Sequence, residues 1–336
     1  METKDIYDQV NRRYGSITKS STGHYEQTVA KAFGYTEEDL AGVPEGAHLG
    51  LSCGNPIALA RLREGETVID LGSGAGFDVF TAAKRVGPTG KAIGVDMNKN
   101  MVEKANTIKA HAMAPNVQFM ESAVTSIALP DNTADCIISN CVINLVPAAE
   151  KQLAFDEMFR LLRPGGRVAI SDILGRRDFT EEMKKNIALY VGCIAGASQV
   201  SEYDTFLKNA GFDDVLIVDS KNDMNVYFTA AEAKPSCCGT DTAKEEETSP
   251  TCCHAKARGS GCKPEEGESC CGADSSIRAR QNQTESMAHE AKKLAIQLGI
   301  TDFNEWAGEI LPSVCCQACG ELRIAGVWDE SLKGMG

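Results

Sequence analysis

The chain has 336 residues, 43% of them apolar, a formal net charge of -13 and 14 cysteines. This composition fills a globular core, while the acidic balance and the lack of a basic stripe exclude nucleic acid as a partner. Residues Met1 to Ile17 contain no signal-peptide core and no later stretch is apolar enough to span a bilayer, so a cytoplasmic protein without membrane contact is expected, as a monomer.

Residues 1–65 begin with a short helical stretch around Tyr14-Gly15 and continue through glycines, Pro44 and Pro56, a pattern suited to a cap over a binding site. Residues 66–233 then alternate strand-like and helical segments. Strands are expected at Thr67–Leu71, Lys91–Asp96, Val117–Met120, Asp135–Asn140, Arg167–Asp172, Asp214–Asp219 and Asn225–Ala231. Helices fall between them at Phe77–Val86, Lys99–His111, Ala148–Leu162, Thr180–Ala195 and Glu202–Ala210. The alternation predicts an α/β fold: a seven-stranded, mostly parallel, doubly wound (Rossmann-like) sheet. The tight Ser220–Met224 turn makes the final pair antiparallel, with one reversed strand at the edge, and residues 173–213 form an insertion that covers the substrate. On this reading the seven strands are complete before residue 234, and a fragment ending at Ala233 stays folded.

Between 234 and 276 there is no Val, Ile, Leu, Met, Phe, Trp or Tyr, so composition alone predicts a disordered linker. It carries Cys237-Cys238, Cys252-Cys253, Cys262 and Cys270-Cys271, which suit either metalloid capture or redox spares; their spacing matches no standard zinc ligand set. Residues 277–336 read as a small helical region. Met287, Ala291, Leu294, Ala295 and Leu298 make one stripe, Gly299 suits a C-cap, Thr301–Leu311 suits a second helix, and Cys315-Cys316-Gln317-Ala318-Cys319 follows.

The chemistry is concentrated in Val68-Ile69-Asp70-Leu71-Gly72-Ser73-Gly74-Ala75-Gly76, a strand that runs into a glycine turn ahead of a helix. Such a turn brings backbone close to a ligand and presents unpaired N–H groups. Asp96 ends the next strand, where a carboxylate accepts both hydroxyls of a ribose, and Met97 supplies an apolar wall for adenine. Asp70 heads the turn. A pyrophosphate would be repelled there, whereas the cationic amino-acid end of S-adenosylmethionine would not, which favours the latter cofactor over a dinucleotide. With Leu129-Pro130-Asp131, Ser139-Asn140-Cys141 and Leu161-Leu162-Arg163-Pro164-Gly165-Gly166-Arg167, residues 66–172 resemble class I S-adenosylmethionine-dependent methyltransferases. The cofactor residues expected are Asp70, Gly72, Ser73, Gly74 and Gly76 in the turn, then Asp96, Met97, Val124, Asn140 and Cys141. At the adenine-edge position, where such enzymes often have Asp or Glu, this chain has Thr125.

Three cysteines far apart in sequence lie beside this fingerprint: Cys53 in Leu51-Ser52-Cys53-Gly54-Asn55-Pro56, Cys141 in Ser139-Asn140-Cys141-Val142-Ile143-Asn144-Leu145, and Cys193 in Val191-Gly192-Cys193-Ile194-Ala195-Gly196-Ala197. With these flanks, residues 7–233 resemble the arsenite methyltransferase family. The resemblance implies methyl transfer from S-adenosylmethionine to trivalent arsenic, with Cys141 and Cys193 as arsenic-binding thiolates and Cys53 as third ligand and redox partner. It also implies trivalent arsenicals as substrates and glutathione or thioredoxin as the thiol reductant. Soft trivalent arsenic prefers thiolates to oxygen ligands, and its lone pair attacks without a general base. Many members carry a further cysteine near the position of Ser21-Thr22-Gly23; here none precedes Cys53.

Two other functions compete: methylation of a quinone, sterol or other small carbon or oxygen acceptor, and sequestration of metalloid by a cysteine-rich tail beside a relic core. Cys136, alternating with core positions, reads as a small buried apolar residue. His24, His48, His111, His254 and His289 read as surface residues, and the carboxylates mostly as solvated faces.

Overall fold

The computed structural model describes residues 2–17, 24–175, 178–222, Val226 and 310–318, the last as backbone. The N-terminal part is helical: α1 (Thr3–Ile17), α2 (His24–Ala32), α3 (Glu37–Ala41) and α4 (Pro56–Ala60). Short polar residues start two of these helices. Thr36 makes a capping box with Asp39, and the Asn55 side chain caps α4 ahead of Pro56.

A Rossmann-like α/β unit follows. Strands β1 (Thr67–Leu71), β2 (Lys91–Asp96), β3 (Val117–Glu121), β4 (Ala134–Asn140) and β5 (Leu162–Gly175) pair in parallel in the order β3-β2-β1-β4-β5. Helices α5 (Phe77–Val86), α6 (Lys99–Ala112) and α7 (Lys151–Leu161) connect them. One apolar cluster, including Val68, Val79, Phe80 and Met101, packs against one face of the sheet; another, including Ile69, Ile137, Phe155 and Leu161, packs against the other. Burial on both faces is why these strands read as continuous apolar runs.

Beyond β5 the structure departs from expectation in three places. The helix expected at Thr180–Ala195 is two short ones, α8 (Glu181–Lys185) and α9 (Ile187–Val191), because the Asn186 side chain accepts from the Leu189 N–H and starts a new helix. After α10 (Val200–Ala210) comes β6 (Phe212–Ile217), and the strand between β5 and β6 is β7 (Ile310–Ala318), antiparallel to both. Residues 66–233 therefore supply six described strands rather than seven, and the reversed strand is interior to the sheet rather than at its edge. Ile310 and Leu311, expected to close a helix, are extended; Leu311 precedes Pro312, whose ring disfavours helical backbone in the residue before it. The strand expected at Asn225–Ala231 lies outside the described residues apart from Val226, as do residues 234–276 and the rest of 277–336. Among the described residues no helix is long and apolar enough to cross a membrane.

Candidate functional site

The carboxyl ends of β1, β2 and β4 open into a cleft of about 1090 Å³ of free space, its mouth included. Asp70, Gly72, Ser73, Gly74, Asp96, Met97, Val124, Asn140 and Cys141 line it, with α1 contributing Tyr7, Val10, Asn11 and Tyr14. The turn after β1 is held by Val95, whose carbonyl accepts from the N–H groups of Gly72 at 2.7 Å and Ser73 at 3.0 Å. Gly72 has φ of 67°, and a Cβ there would run into the Val142 side chain. Gly76 does not line the cleft. It starts α5 at φ 98°, where a Cβ would lie 2.5 Å from Phe119, so its part is close packing between helix and sheet.

Asp96 is anchored before any ligand arrives. Its Oδ2 accepts from the Gly74 N–H at 2.8 Å and its Oδ1 from the Asn98 N–H at 2.8 Å. Asn98 in turn caps α6 and donates to the Asn11 carbonyl at 2.9 Å, which fixes α1 over the cleft. Three carboxylates, Asp70, Asp78 and Asp96, line this one cavity, with no lysine or arginine on its walls among the described residues. Burial pushes the Asp70 carboxyl well up, and its neighbours Asp78 and Asp96 push it further; burial likewise raises Asp78 to about 6. A cationic ligand relieves this repulsion, whereas a pyrophosphate would add to it. These walls fit S-adenosylmethionine.

The three expected cysteines come from three separate turns, and the fold brings their sulfurs within 4.8 Å of one another. Cys141 follows β4 with φ of 64°, its N–H donating to the Ser171 carbonyl at 2.9 Å. Cys193 follows α9 with φ of 63°; its carbonyl accepts from Asn144 Nδ2 at 3.1 Å and its thiol donates to the Cys141 carbonyl at 3.0 Å. Cys53 precedes α4 and forms a disulfide with Cys141 across a Cα–Cα distance of 5.5 Å. All three are buried, and burial, followed by the charge of Asp172, pushes the Cys193 thiol up to about 12. The Tyr14 hydroxyl lies 3.7 Å from Cys193 Sγ, and both Tyr14 and Cys141 line the cleft, so the thiol cluster adjoins the acidic cavity. Cys136 is fully buried within β4.

Several polar residues here escaped the sequence reading. His48 is a cleft residue rather than a surface one: it stacks on Phe77 at 4.2 Å between ring centroids, and its Nε2 is buried without a hydrogen-bond partner among the described residues. Burial holds it down at about 4, hence neutral at physiological pH. No motif surrounds it, so nothing in the sequence marks it. Asp78 sits two residues after Gly76 and is the lone charged residue in the first seven positions of α5, a signal that could have been noticed. Lys151, which the sequence did not single out, is 2% exposed; its Nζ donates to the Gly196 carbonyl and to Ser198 Oγ at 2.8 Å, holding the segment that follows Cys193. Asp172 is fully buried, accepts from the Tyr203 hydroxyl at 2.6 Å, and is pushed up to about 6 by burial. Thr125 does not line the cleft, although Ala123 and Val124 do.

Known proteins resemble this chain to different extents. A family model described as a methyltransferase domain matches residues 62–211. An arsenite methyltransferase of Halobacterium salinarum is 43% identical over 218 residues, which cover 61% of this chain and 55% of that protein. The chain thus spans just over half the length of this relative. The crystal structure of an arsenic (III) S-adenosylmethionine methyltransferase from Chlamydomonas reinhardtii is 30% identical, with 61% of this chain and 69% of that one covered and a TM-score of 0.46. A phosphoethanolamine N-methyltransferase of Haemonchus contortus in complex with S-adenosyl-L-methionine has a TM-score of 0.58 at 14% identity, over 96% of this chain and 60% of that one, a likeness of fold alone.

Proposed function

From the premise that the chain belongs to the arsenite methyltransferase family, we propose that it moves a methyl group from S-adenosylmethionine to trivalent arsenic held by Cys53, Cys141 and Cys193. The observation that carries this reading is the convergence of three buried sulfurs within 4.8 Å, next to an acidic cleft. A quinone or sterol methyltransferase has no use for three thiols packed together. Trivalent arsenic binds three thiolates in a pyramid.

The cofactor supplies an electrophilic methyl on a sulfonium. Asp96 is placed for the ribose hydroxyls, Met97 and Val124 for the adenine, and Asp70 and Asp78 for the positive charge of the amino-acid end. Cys141 and Tyr14 line the wall between cofactor and thiol cluster, so arsenic bound there presents its lone pair toward the cleft. No general base is needed, because the nucleophile carries no proton to lose.

The Cys53–Cys141 disulfide is the oxidised form of this site, and two thiols of glutathione or thioredoxin open it to the three-thiolate form. Loss of the lone pair in methyl transfer leaves arsenic formally pentavalent. Return to the trivalent state takes two electrons, which Cys53 and Cys141 supply as they close again. The cap of residues 1–65 and the insertion of 173–213 each contribute one of the three cysteines, so on this reading both are parts of the substrate site rather than appendages. Detoxification of arsenic in the cytoplasm follows as the biological role.

The test is incubation of the protein with arsenite, methyl-labelled S-adenosylmethionine and glutathione, followed by separation of arsenic species. Labelled methylarsenicals are expected. A folded, cofactor-binding protein that yields none would refute the proposal.

A further inference from the structure

Asn140 ends β4 one residue before Cys141, and its side chain reaches the backbone of the other half-cystine. Its Oδ1 accepts from the Cys53 N–H at 3.0 Å, and its Nδ2 donates to the Gly54 carbonyl at 3.1 Å. The same Nδ2 lies 3.1 Å from the Tyr35 hydroxyl and 3.1 Å from Asp78 Oδ2, while Tyr35 donates to Asp78 Oδ1 at 2.7 Å. Tyr35 and Asp78 are 3% and 5% exposed, so both are held in place by the packing around them. Both ends of the Asn140 amide are therefore engaged. One side chain, oriented from behind by Tyr35 and Asp78, grips the Cys53 N–H and the Gly54 carbonyl while its own main chain leads into Cys141.

We propose that Asn140 is a positioning residue for the Cys53–Cys141 cystine: it holds the Cys53 turn in register with Cys141 and thereby sets how readily the disulfide opens. Opening is a thiol–disulfide exchange. One glutathione thiolate attacks a cystine sulfur and breaks the S–S bond, a second glutathione displaces the first as oxidised glutathione, and two electrons and two protons end on Cys53 and Cys141. Fixing both half-cystines to one amide raises their effective concentration toward each other, which favours the closed form. Asp78 and Asn140 also line the proposed cofactor cleft, so the cystine equilibrium is read in the absence of S-adenosylmethionine. The inference concerns the cystine itself and stands whatever the methyl acceptor proves to be.

The experiment equilibrates the full-length protein in glutathione buffers of graded redox ratio, quenches with acid, alkylates the free thiols, and quantifies the peptides carrying Cys53 and Cys141 by mass spectrometry. Reading by peptide separates this pair from the remaining cysteines. Asn140→Ala should shift the equilibrium roughly tenfold toward the dithiol, the size expected for loss of the bonds that fix the turn. Tyr35→Phe, a smaller change, should shift it about threefold in the same direction by freeing the Asn140 amide. Thermal unfolding followed by circular dichroism reports whether each variant is folded. A merely structural role would lower the unfolding temperature yet leave the cystine equilibrium of the folded protein unchanged. A shift below about threefold in folded Asn140→Ala, or no shift in Tyr35→Phe where the alanine variant does not fold, overturns the proposal.

Discussion

Replacing Asp96 by alanine removes two sets of interactions, and the structure separates them. In the protein without ligand, the carboxylate accepts 2.8 Å hydrogen bonds from Gly74 and Asn98, which tie the glycine turn to the start of α6. Hydrogen bonds to a charged group contribute about 1.5–3 kcal/mol each, but water from the open cleft can satisfy the two freed N–H groups, so a stability loss of about 2–3 kcal/mol in all is expected. The remaining lone pairs are those proposed to accept from the ribose hydroxyls. Losing two charge-assisted bonds there should weaken cofactor binding by roughly 100-fold or more. Urea unfolding measures the first effect, and isothermal titration with S-adenosylmethionine under native conditions measures the second. An affinity within about threefold of the parent would remove Asp96 from the cofactor site. Unchanged unfolding energy would instead refute its part in anchoring the turn.

Cys193→Ser and Cys141→Ser should each stop methylation of every trivalent arsenical, since a hydroxyl is a hard, protonated ligand where arsenic needs a soft thiolate. Cys53→Ser should harm turnover of arsenite more than of methylarsenite, which already has one valence filled by carbon, and equal loss on both would contradict that division. His48 titrates at about 4, below its ordinary 6.5, mainly through burial, so the unfolded chain binds more protons between those values. Its contribution to stability is present above about pH 6.5 and is lost as pH falls toward 4; His48→Gln should flatten the stability difference between about pH 7 and about pH 5 in urea unfolding, and an unaltered difference would count against the assignment. Truncation after Ala233 removes the strand Ile310–Ala318 from between β5 and β6, so the fragment should unfold less cooperatively and aggregate through the two bared edges. A monomeric fragment with the parent's unfolding transition would show that the strand contributes little.

The sequence is most legible where local and tertiary preferences agree. Thr67–Leu71, Phe77–Val86 and Lys91–Asp96 fall on the residues expected, because an apolar run, a glycine turn and an amphipathic helix each point the same way and the parallel sheet buries them on both faces. The cysteine turns carried chemical identity in their flanks, and the fold places them at one sheet edge. What sequence could not supply were contacts between distant segments. The reversed strand comes from more than 90 residues beyond β6, a pairing no local pattern encodes. The Thr180–Ala195 helix was overextended because a helical apolar pattern runs on across Asn186, which caps a new helix rather than continuing the old one. Burial of His48, Lys151 and Asp172 depends on what packs over them, and Gly76 looked like a ligand contact because the space it leaves is filled by Phe119 from another strand.

The left-handed backbone at Cys141 and Cys193 has a bearing on how such a protein can be engineered. At φ near 64° a side chain with a Cβ is disfavoured by about 1 kcal/mol relative to glycine, and asparagine is better tolerated than cysteine. Cys193→Asn therefore relieves backbone strain where sulfur is wanted, whereas at Cys141 the same gain is outweighed by loss of the disulfide to Cys53, which contributes about 2–4 kcal/mol. A library screened for heat resistance alone would drift toward the Cys193 replacement, enriching robust scaffolds that have shed a soft ligand. Selection for durability must here be coupled to selection for thiols, or the most durable variants will be inert.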